Sequence, residues 1–342
     1  MHVKIGDRRI GDGEPTFIIA ELGVSFETLE QAKRSVDEAV RVGADAIKIQ
    51  TYRAETLVTE TAWFPDEAGG AHQFESFKKS EISPETHRKI FDYAEKKGII
   101  IFSTPSYYDD ADLLEEMGVK VFKIGSDDLT NLPFIKYVAG KGLPMIISTG
   151  MGTMSEVAKM VDAVKGAGNS QLILLHCVSN YPIKDLNTVN LRAMDSMKRA
   201  FGVPVGFSDH TESLSMPIAA VALGANVVEK HFTIDKKIPI SDAAFSADPV
   251  ELETIVKGIR EVEKGLGDGV KRPAHTEEKM RRETRKSVIA KRDISKGAKI
   301  TRDDLIIKRP AYGVPPELID VIVGRVAAKP IKRDQPITWE DI

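Results

Sequence analysis

Side chains suited to anion, carbonyl and metal chemistry recur at the ends of short apolar runs. Glu21 follows residues 17–20, Lys48 and Gln50 close 46–49, and Ser103 and Thr104 follow 99–102. Lys123 and Ser126 end 119–124, Ser148 and Thr149 follow 145–147, and His176 and Ser179 follow 172–175. Ser208 and His210 then follow 205–207, and Glu229 and His231 close 226–229. Two lysines among hydroxyls suit a small multiply anionic ligand, because ammonium groups offset its charge and Ser and Thr donate directional hydrogen bonds. Phosphate is the expected group. His210 and His231, each just past a buried-looking strand, suit a divalent metal held with an open position for substrate or water.

Taken singly, these residues have plainer readings. A lone strand-end lysine is usually a surface residue with a buried stem, and a lone histidine is usually a hydrogen-bonded structural one. The pairs turn the balance toward ligand contact. His176 and the adjacent Cys177 read as structural, and Ser148-Thr149-Gly150-Met151 suits a backbone anion nest as well as a tight turn.

The elements that must carry these residues follow from periodicity. From about Thr16 to Lys264 the eight apolar runs alternate with amphipathic stretches such as 29–42, 84–97, 155–165 and 214–223. Gly43, Gly98 and Gly224 read as helix stops before the next strand. Eight βα units favour a closed (β/α)8 TIM barrel, whose active sites lie at the C-terminal strand ends; a doubly wound open sheet has the same periodicity. Residues 52–82 exceed an ordinary βα loop and form an excursion of unassigned role. Residues 1–268 are read as the barrel and the charged stretch 269–284 as a linker. Residues 285–342 are read as a small β-rich module, pseudo-symmetric because 293–305 and 330–342 resemble each other.

Composition narrows the function. The 342 residues carry 48 Lys and Arg against 51 Asp and Glu, a net −3 that gives no global footprint for nucleic acid or an anionic membrane. The single Cys177 excludes an internal disulfide and a cysteine-based metal cluster, and no apolar run approaches the ~18 residues of a membrane span. With no leader-like core after Met1-His2-Val3-Lys4, a cytoplasmic protein is expected.

Five segments together carry a family resemblance: Lys123-Ile124-Gly125-Ser126, Ser148-Thr149-Gly150-Met151, His176-Cys177-Val178-Ser179-Asn180-Tyr181-Pro182, Gly206-Phe207-Ser208-Asp209-His210-Thr211 and Glu229-Lys230-His231-Phe232-Thr233. In this order they resemble the sialic acid (N-acetylneuraminate) synthase family. Arg285-Lys286-Ser287-Val288, Lys308-Arg309-Pro310 and Gly324-Arg325 are similar to its C-terminal antifreeze-like (SAF) domain. The resemblance implies a (β/α)8 barrel that condenses phosphoenolpyruvate with an N-acetylated hexosamine, N-acetylmannosamine or a modified analogue, to a nine-carbon 2-keto acid and phosphate. Legionaminate- and pseudaminate-type members use altered sugars.

Carried over by position, Lys48, Thr104, Lys123, Ser126, Ser179 and Ser208 would bind phosphoenolpyruvate. Gln50, Tyr181, Asp242 and Arg309 would face the sugar, His210 and His231 would hold Mn²⁺ or Mg²⁺, and Glu21 and Glu229 would be catalytic. No organic cofactor is implied. The implied assembly is a domain-swapped homodimer in which Arg309 reaches the partner's sugar site; the local alternative is that Arg309 caps a turn with Pro310. Three segments depart from the family pattern: Glu21-Leu22-Gly23-Val24-Ser25-Phe26 lacks the usual Asn-His pair, Ser241-Asp242-Ala243 replaces Pro-Asp-His, and Arg309-Pro310-Ala311 replaces Arg-Pro-Gly. All lie on the sugar side, and Phe26 and Ala243 make that side less polar. The rival readings are a synthase for another aldehyde and a non-catalytic sugar- or anion-binding barrel.

Overall fold

The computed structural model describes residues 1–64, 70–238 and 241–342. The centre of the 52–82 excursion and Ile240 of the turn preceding Asp242 lie outside the described residues. Two compact units emerge, 1–267 and 268–342.

Among the described residues twelve strands are numbered in chain order: β1 (His2–Ile5), β2 (Arg8–Gly11), β3 (Phe17–Gly23), β4 (Ala46–Thr51), β5 (Ile100–Pro105), β6 (Phe122–Ile124), β7 (Met145–Ser148), β8 (Leu172–His176), β9 (Val205–Asp209), β10 (Val227–His231), β11 (Ser287–Ala290) and β12 (Leu305–Lys308). In the first unit β3 to β10 form one sheet in the order β5-β4-β3-β10-β9-β8-β7-β6, with its neighbouring strands paired in parallel. The first and last strands of that order, β5 and β6, lie side by side, so the sheet curls into a (β/α)8 ring. The expected runs coincide with these strands.

Helices cover the outside of the ring for local reasons. Leu29–Val42 starts at a Thr28 capping box completed by Gln31 and ends at Gly43 in the left-handed region, φ 84°. Pro84–Lys97 starts with Ser83 capping Thr86 N and Pro84 in the first turn. The expected 155–165 and 214–223 appear as Met154–Gly166 and Ser215–Ala222.

Strand alternation divides the first unit in two. Ile18, Ala20, Leu172, Leu174 and Val228 pack outward against the helices. Phe17, Ile19, Ala46, Phe102, Val121, Ile146, Ile173, Leu175 and Val227 form a second core within the ring. The parity that makes this inner core continues upward as 21, 48, 104, 123, 148, 208 and 229, so the chemistry-bearing residues sit on top of an apolar plug. The β1–β2 hairpin, absent from the sequence reading, closes that plug from below with Val3, Ile5 and Ile10. Its signal was a four-residue alternation too short to stand out.

The second unit contains the antiparallel pair β11–β12 and its own core of Val288, Ala290, Ile300, Ile322 and Ile337. The stretch read as a linker carries a helix, Glu278–Thr284. The two similar segments adopt one conformation: Thr301 and Thr338 each donate backbone N and hydroxyl to the carboxylate three residues on, Asp304 and Asp341. Ile294 and Ile331 bond each other reciprocally, N to O, at 2.8 and 2.9 Å. No helix of the described residues is long and apolar enough to cross a membrane.

Ile10 is fully buried in the plug, far from the strand ends that carry the polar residues. Ile10→Ala is expected to lower stability by about 2–5 kcal/mol while ligand affinity at the opposite end is kept. Urea unfolding and ligand titration on the same sample check both halves.

Candidate functional site at the strand ends

Two glutamates and two lysines, each almost wholly buried, meet inside the upper ring. Lys48 Nζ lies 2.7 Å from Glu21 Oε2 and 3.9 Å from Glu229 Oε2, and Lys123 Nζ lies 3.8 Å from Glu229 Oε1. Hydroxyls and one amide hold these heads in place. Lys48 donates to Thr104 Oγ1 at 3.2 Å, Lys123 to Ser148 Oγ at 2.7 Å, Ser208 to Glu229 Oε1 at 2.9 Å and Gln50 Nε2 to Glu21 Oε1 at 3.4 Å. The parallel register sets the row, since Glu21 pairs with His231 on one side and Lys48 on the other.

Burial and neighbouring charge push the two carboxyls apart. Burial outweighs the nearby lysines at Glu21 and raises it to about 7. At Glu229 burial acts the same way, but Lys123, Lys48 and the Ser208 hydroxyl outweigh it and hold the carboxyl below its ordinary value. Burial lowers Lys123, with Glu229 compensating only in part; at Lys48 the two carboxylates overcome burial and raise it. One carboxyl is thus able to hold a proton near neutrality while the other stays ionised, the division that acid–base chemistry requires.

Three segments converge beside Lys123. Ser126 Oγ accepts from Gly150 N at 3.0 Å and lies 3.2 Å from Cys177 Sγ, and Ser179 Oγ is buried without a hydrogen-bond partner. A Cβ on Gly150 would fall 2.3 Å from Ser179 Oγ, 2.8 Å from Ser126 Oγ and 3.0 Å from Cys177 Sγ. Glycine is therefore required by close approach, and the arrangement is a cradle of hydroxyls around a backbone N–H.

The two histidines stand with ring centroids 5.4 Å apart. His210 Nδ1 is 2.7 Å from Val178 O. A carbonyl only accepts, so Nδ1 carries the proton and Nε2 presents a lone pair. His231 Nδ1 is buried without a hydrogen bond, 3.9 Å from Asp242 Oδ2. Burial lowers both imidazoles, His231 strongly, and neutral imidazole is the form that ligates metal. Among the described residues no group of three or more His, Cys, Asp or Glu forms a metal site. The orphaned nitrogen and the lone pair beside it fit a divalent cation taking two protein donors and completing its shell with water or substrate.

Tyr181 lies over His210 at 4.1 Å between ring centroids, and Phe245 stands 5.3 Å from His231 and 5.9 Å from Tyr181. The barrel residues picked from sequence thus come together. Arg309 belongs to the second unit, where its side chain is exposed. Ala243 is fully buried, and Phe26 is partly buried and packs against the outer core. Strand parity resolves the paired candidates. Thr104 points inward while Ser103 joins Thr51 and His87 outside, Ser148 rather than Thr149 meets Lys123, and His176 bonds Val189 O. Phe245 was missed, having only its place in an irregular turn as a signal.

A model of the NeuB family matches residues 35–271, and one of the SAF domain matches 285–342. The chain is 41% identical over 342 residues to N,N'-diacetyllegionaminic acid synthase of Legionella pneumophila, covering 97% of this chain and 96% of that protein. It is 35% identical to human N-acetylneuraminate-9-phosphate synthase, covering 97% and 94%. The crystal structure of N-acetylneuraminic acid (sialic acid) synthetase from Leptospira borgpetersenii in complex with citrate superposes with a TM-score of 0.75 at 33% identity, covering 82% and 95%.

Gly150→Ala is expected to turn the cradle hydroxyls away without disturbing the backbone, because all three crowded atoms belong to side chains. Losing one charge-assisted contact weakens inorganic phosphate about tenfold or more. Calorimetry beside a circular dichroism melt checks this, and unchanged phosphate affinity in a folded variant removes the cradle reading.

Proposed function

The chain belongs to the NeuB family and carries a SAF domain, and from that premise we propose that it is a sialic-acid-type synthase. In this reading phosphoenolpyruvate condenses with an N-acylated amino-sugar aldehyde to a nine-carbon 2-keto acid and phosphate. The observation that carries it is the meeting of two lysines, two unequal carboxyls and two neutral imidazoles at one end of the barrel.

Lys48, Lys123, Thr104, Ser126, Ser179 and Ser208 bind the phosphate and carboxylate of phosphoenolpyruvate. Gln50, Tyr181 and Asp242 orient the acceptor so that its carbonyl carbon faces carbon 3 of the enol phosphate. His210 and His231 hold Mn²⁺ or Mg²⁺, which supplies Lewis-acid polarisation of the acceptor carbonyl when bound. The carbon–carbon bond forms from the enol electron pair, leaving a cationic centre at carbon 2. Ionised Glu229 takes one proton from the water that adds there, and the tetrahedral centre then collapses to the ketone as the carbon–oxygen bond to phosphate breaks and the remaining hydroxyl proton passes to the departing phosphate. Glu21, raised to about 7, holds a proton beside the acceptor and gives it to the new alkoxide.

The test supplies phosphoenolpyruvate, Mn²⁺ and a panel of acceptors: N-acetylmannosamine, its 6-phosphate, a 2,4-diacetamido-6-deoxy hexose and simple aldoses. Phosphate release and product mass are followed. A nine-carbon keto acid from an N-acylated sugar, lost in excess chelator and restored by Mn²⁺, is the expected result. Turnover only with aldoses lacking nitrogen gives the reading to a different synthase, and phosphoenolpyruvate binding without turnover gives it to a binding protein.

We read the assembly as a cytoplasmic homodimer in which the second unit of one subunit completes the partner's sugar site. Charge supports this. Residues 1–267 hold 30 Lys and Arg against 39 Asp and Glu, while 268–342 hold 18 against 12, so the units carry −9 and +6. Mixing inactive Arg309→Ala with inactive Lys123→Met chains is expected to restore part of the activity, since one mixed site holds both native residues. Mixed dimers verified by mass that stay inactive would place Arg309 outside the shared site.

A further inference from the structure

The sequence Ser208-Asp209-His210 and the sequence Glu229-Lys230-His231 each set a charged residue between two site residues. Strand alternation sends Ser208 and Glu229 into the ring, where they bond each other, and sends Asp209 and Lys230 to the outer face. There Lys230 Nζ meets Asp209 Oδ2 at 2.8 Å with both side chains essentially out of solvent. The contacts continue into the chain that follows β9. Lys230 Nζ also donates to Thr211 O, and Asp209 Oδ1 accepts from Thr211 N at 2.9 Å. Both polar ends of the Thr211 backbone are therefore tied to this ion pair, and His210 is the residue held between its two anchors.

We propose that Asp209 and Lys230 are positioning residues. Their ion pair locks the β9–β10 register and the bend at Thr211, which fixes the distance between the His210 and His231 rings and the Ser208–Glu229 hydrogen bond. The register assigns the pair this place, since Lys230 stands opposite Asp209 and Glu229 opposite Ser208. A slip of one residue exchanges the inner and outer sets. Energy alone gives the pair little reason to exist, because a buried ion pair replaced by apolar groups of similar volume is often as stable or more so. What the apolar replacement cannot do is bond both polar groups of Thr211. The Val178 carbonyl orients the His210 ring from one side, and the ion pair orients its backbone from the other.

The proposal rests on the metal and substrate reading above, and its test separates the two. The double variant Asp209→Leu/Lys230→Met removes the charges together. It is expected to stay folded, with a melting temperature close to that of the wild type, while the dissociation constant for Mn²⁺ alone rises about 10- to 100-fold, the range for loss of a group that orients a metal ligand. The turnover number falls, the apparent affinity for phosphoenolpyruvate weakens by less than that for Mn²⁺ because only the Ser208–Glu229 contact is shared with that site, and Lys230→Arg, which keeps the charge, restores part of each. The metal-free protein gives a further readout, the imidazole proton signals of His210 and His231, expected to move in the double variant and to return in Lys230→Arg. A folded double variant with wild-type Mn²⁺ affinity, turnover and histidine signals overturns the proposal. If the double variant does not fold, Asp209→Asn is judged by the same measurements. If the wild type binds no Mn²⁺, the metal reading falls, and the histidine signals decide whether the strut positions these residues.

Discussion

Everything in the first unit serves the burial of four ionisable groups at the centre of a protein. Glu21, Lys48, Lys123 and Glu229 are withdrawn from water together, and each charge so removed costs several kcal/mol unless partners compensate it. Alternating signs at 2.7–3.9 Å supply the compensation, and Thr104, Ser148 and Ser208 add hydrogen bonds, although Glu229 Oε2 is left without one. The balance is deliberately incomplete. Burial raises Glu21 to about 7, so that a protonated Glu21 leaves Glu229 as the ionised carboxylate beside the two lysines, a balance suited to a multiply anionic ligand. Such an arrangement survives only on a scaffold that cannot relax around it. The apolar plug beneath and the helix layer outside provide that rigidity.

Much of this was legible in the sequence. Eight apolar runs at βα spacing are enough to place eight strands, because a parallel strand buried on both faces reads as a continuous apolar segment. Helix ends at Gly43 and Gly98 could be read from the glycines that stop them, whereas the caps at Thr28 and Ser83 emerged only with the structure. The barrel site followed because strand ends are short and their polar residues few. What sequence could not give was parity: Ser103 and Thr104, or Ser148 and Thr149, are equivalent as letters, and only the phase of the inner core says which points inward. Asp209 and Lys230 escaped for the same reason, since their neighbours already looked like the chemistry. Their opposite charges, at matching places in two strands not yet known to pair, carried no signal alone.

The second unit shows how a repeat can be seen before its purpose. The similarity of 293–305 to 330–342 is a similarity of turn chemistry. In both, a threonine and an aspartate three residues on form a closed cap, and a cation docks on that aspartate, Arg292 on Asp304 and Lys329 on Asp341. Gly297 and Asp334, at corresponding places, both adopt positive φ. A small core of this size is stabilised largely by such repeated local closure, because few side chains are fully enclosed. The module therefore leaves much of its surface free to carry charge, which is where its net +6 resides.

The same division explains which part of the activity is free to vary. The residues proposed for anion and metal binding lie on strands or within three positions past them, where alternation and register narrow the orientation open to each side chain. The acceptor side proposed above draws on Tyr181, Asp242, Ala243 and Phe245, in loops after β8 and β10 that obey no such period. Substitutions there do not slip a strand or strip a buried charge of its partner, so they proceed without loss of the fold. The segments that differ from the resembled family pattern lie on that proposed side, whereas Lys48, Lys123, Glu229 and both histidines stand on strands or directly after them. In the function proposed above, the bond-making step is thereby held fixed by the geometry of a sheet, and the identity of the sugar is left to residues that the sheet does not constrain.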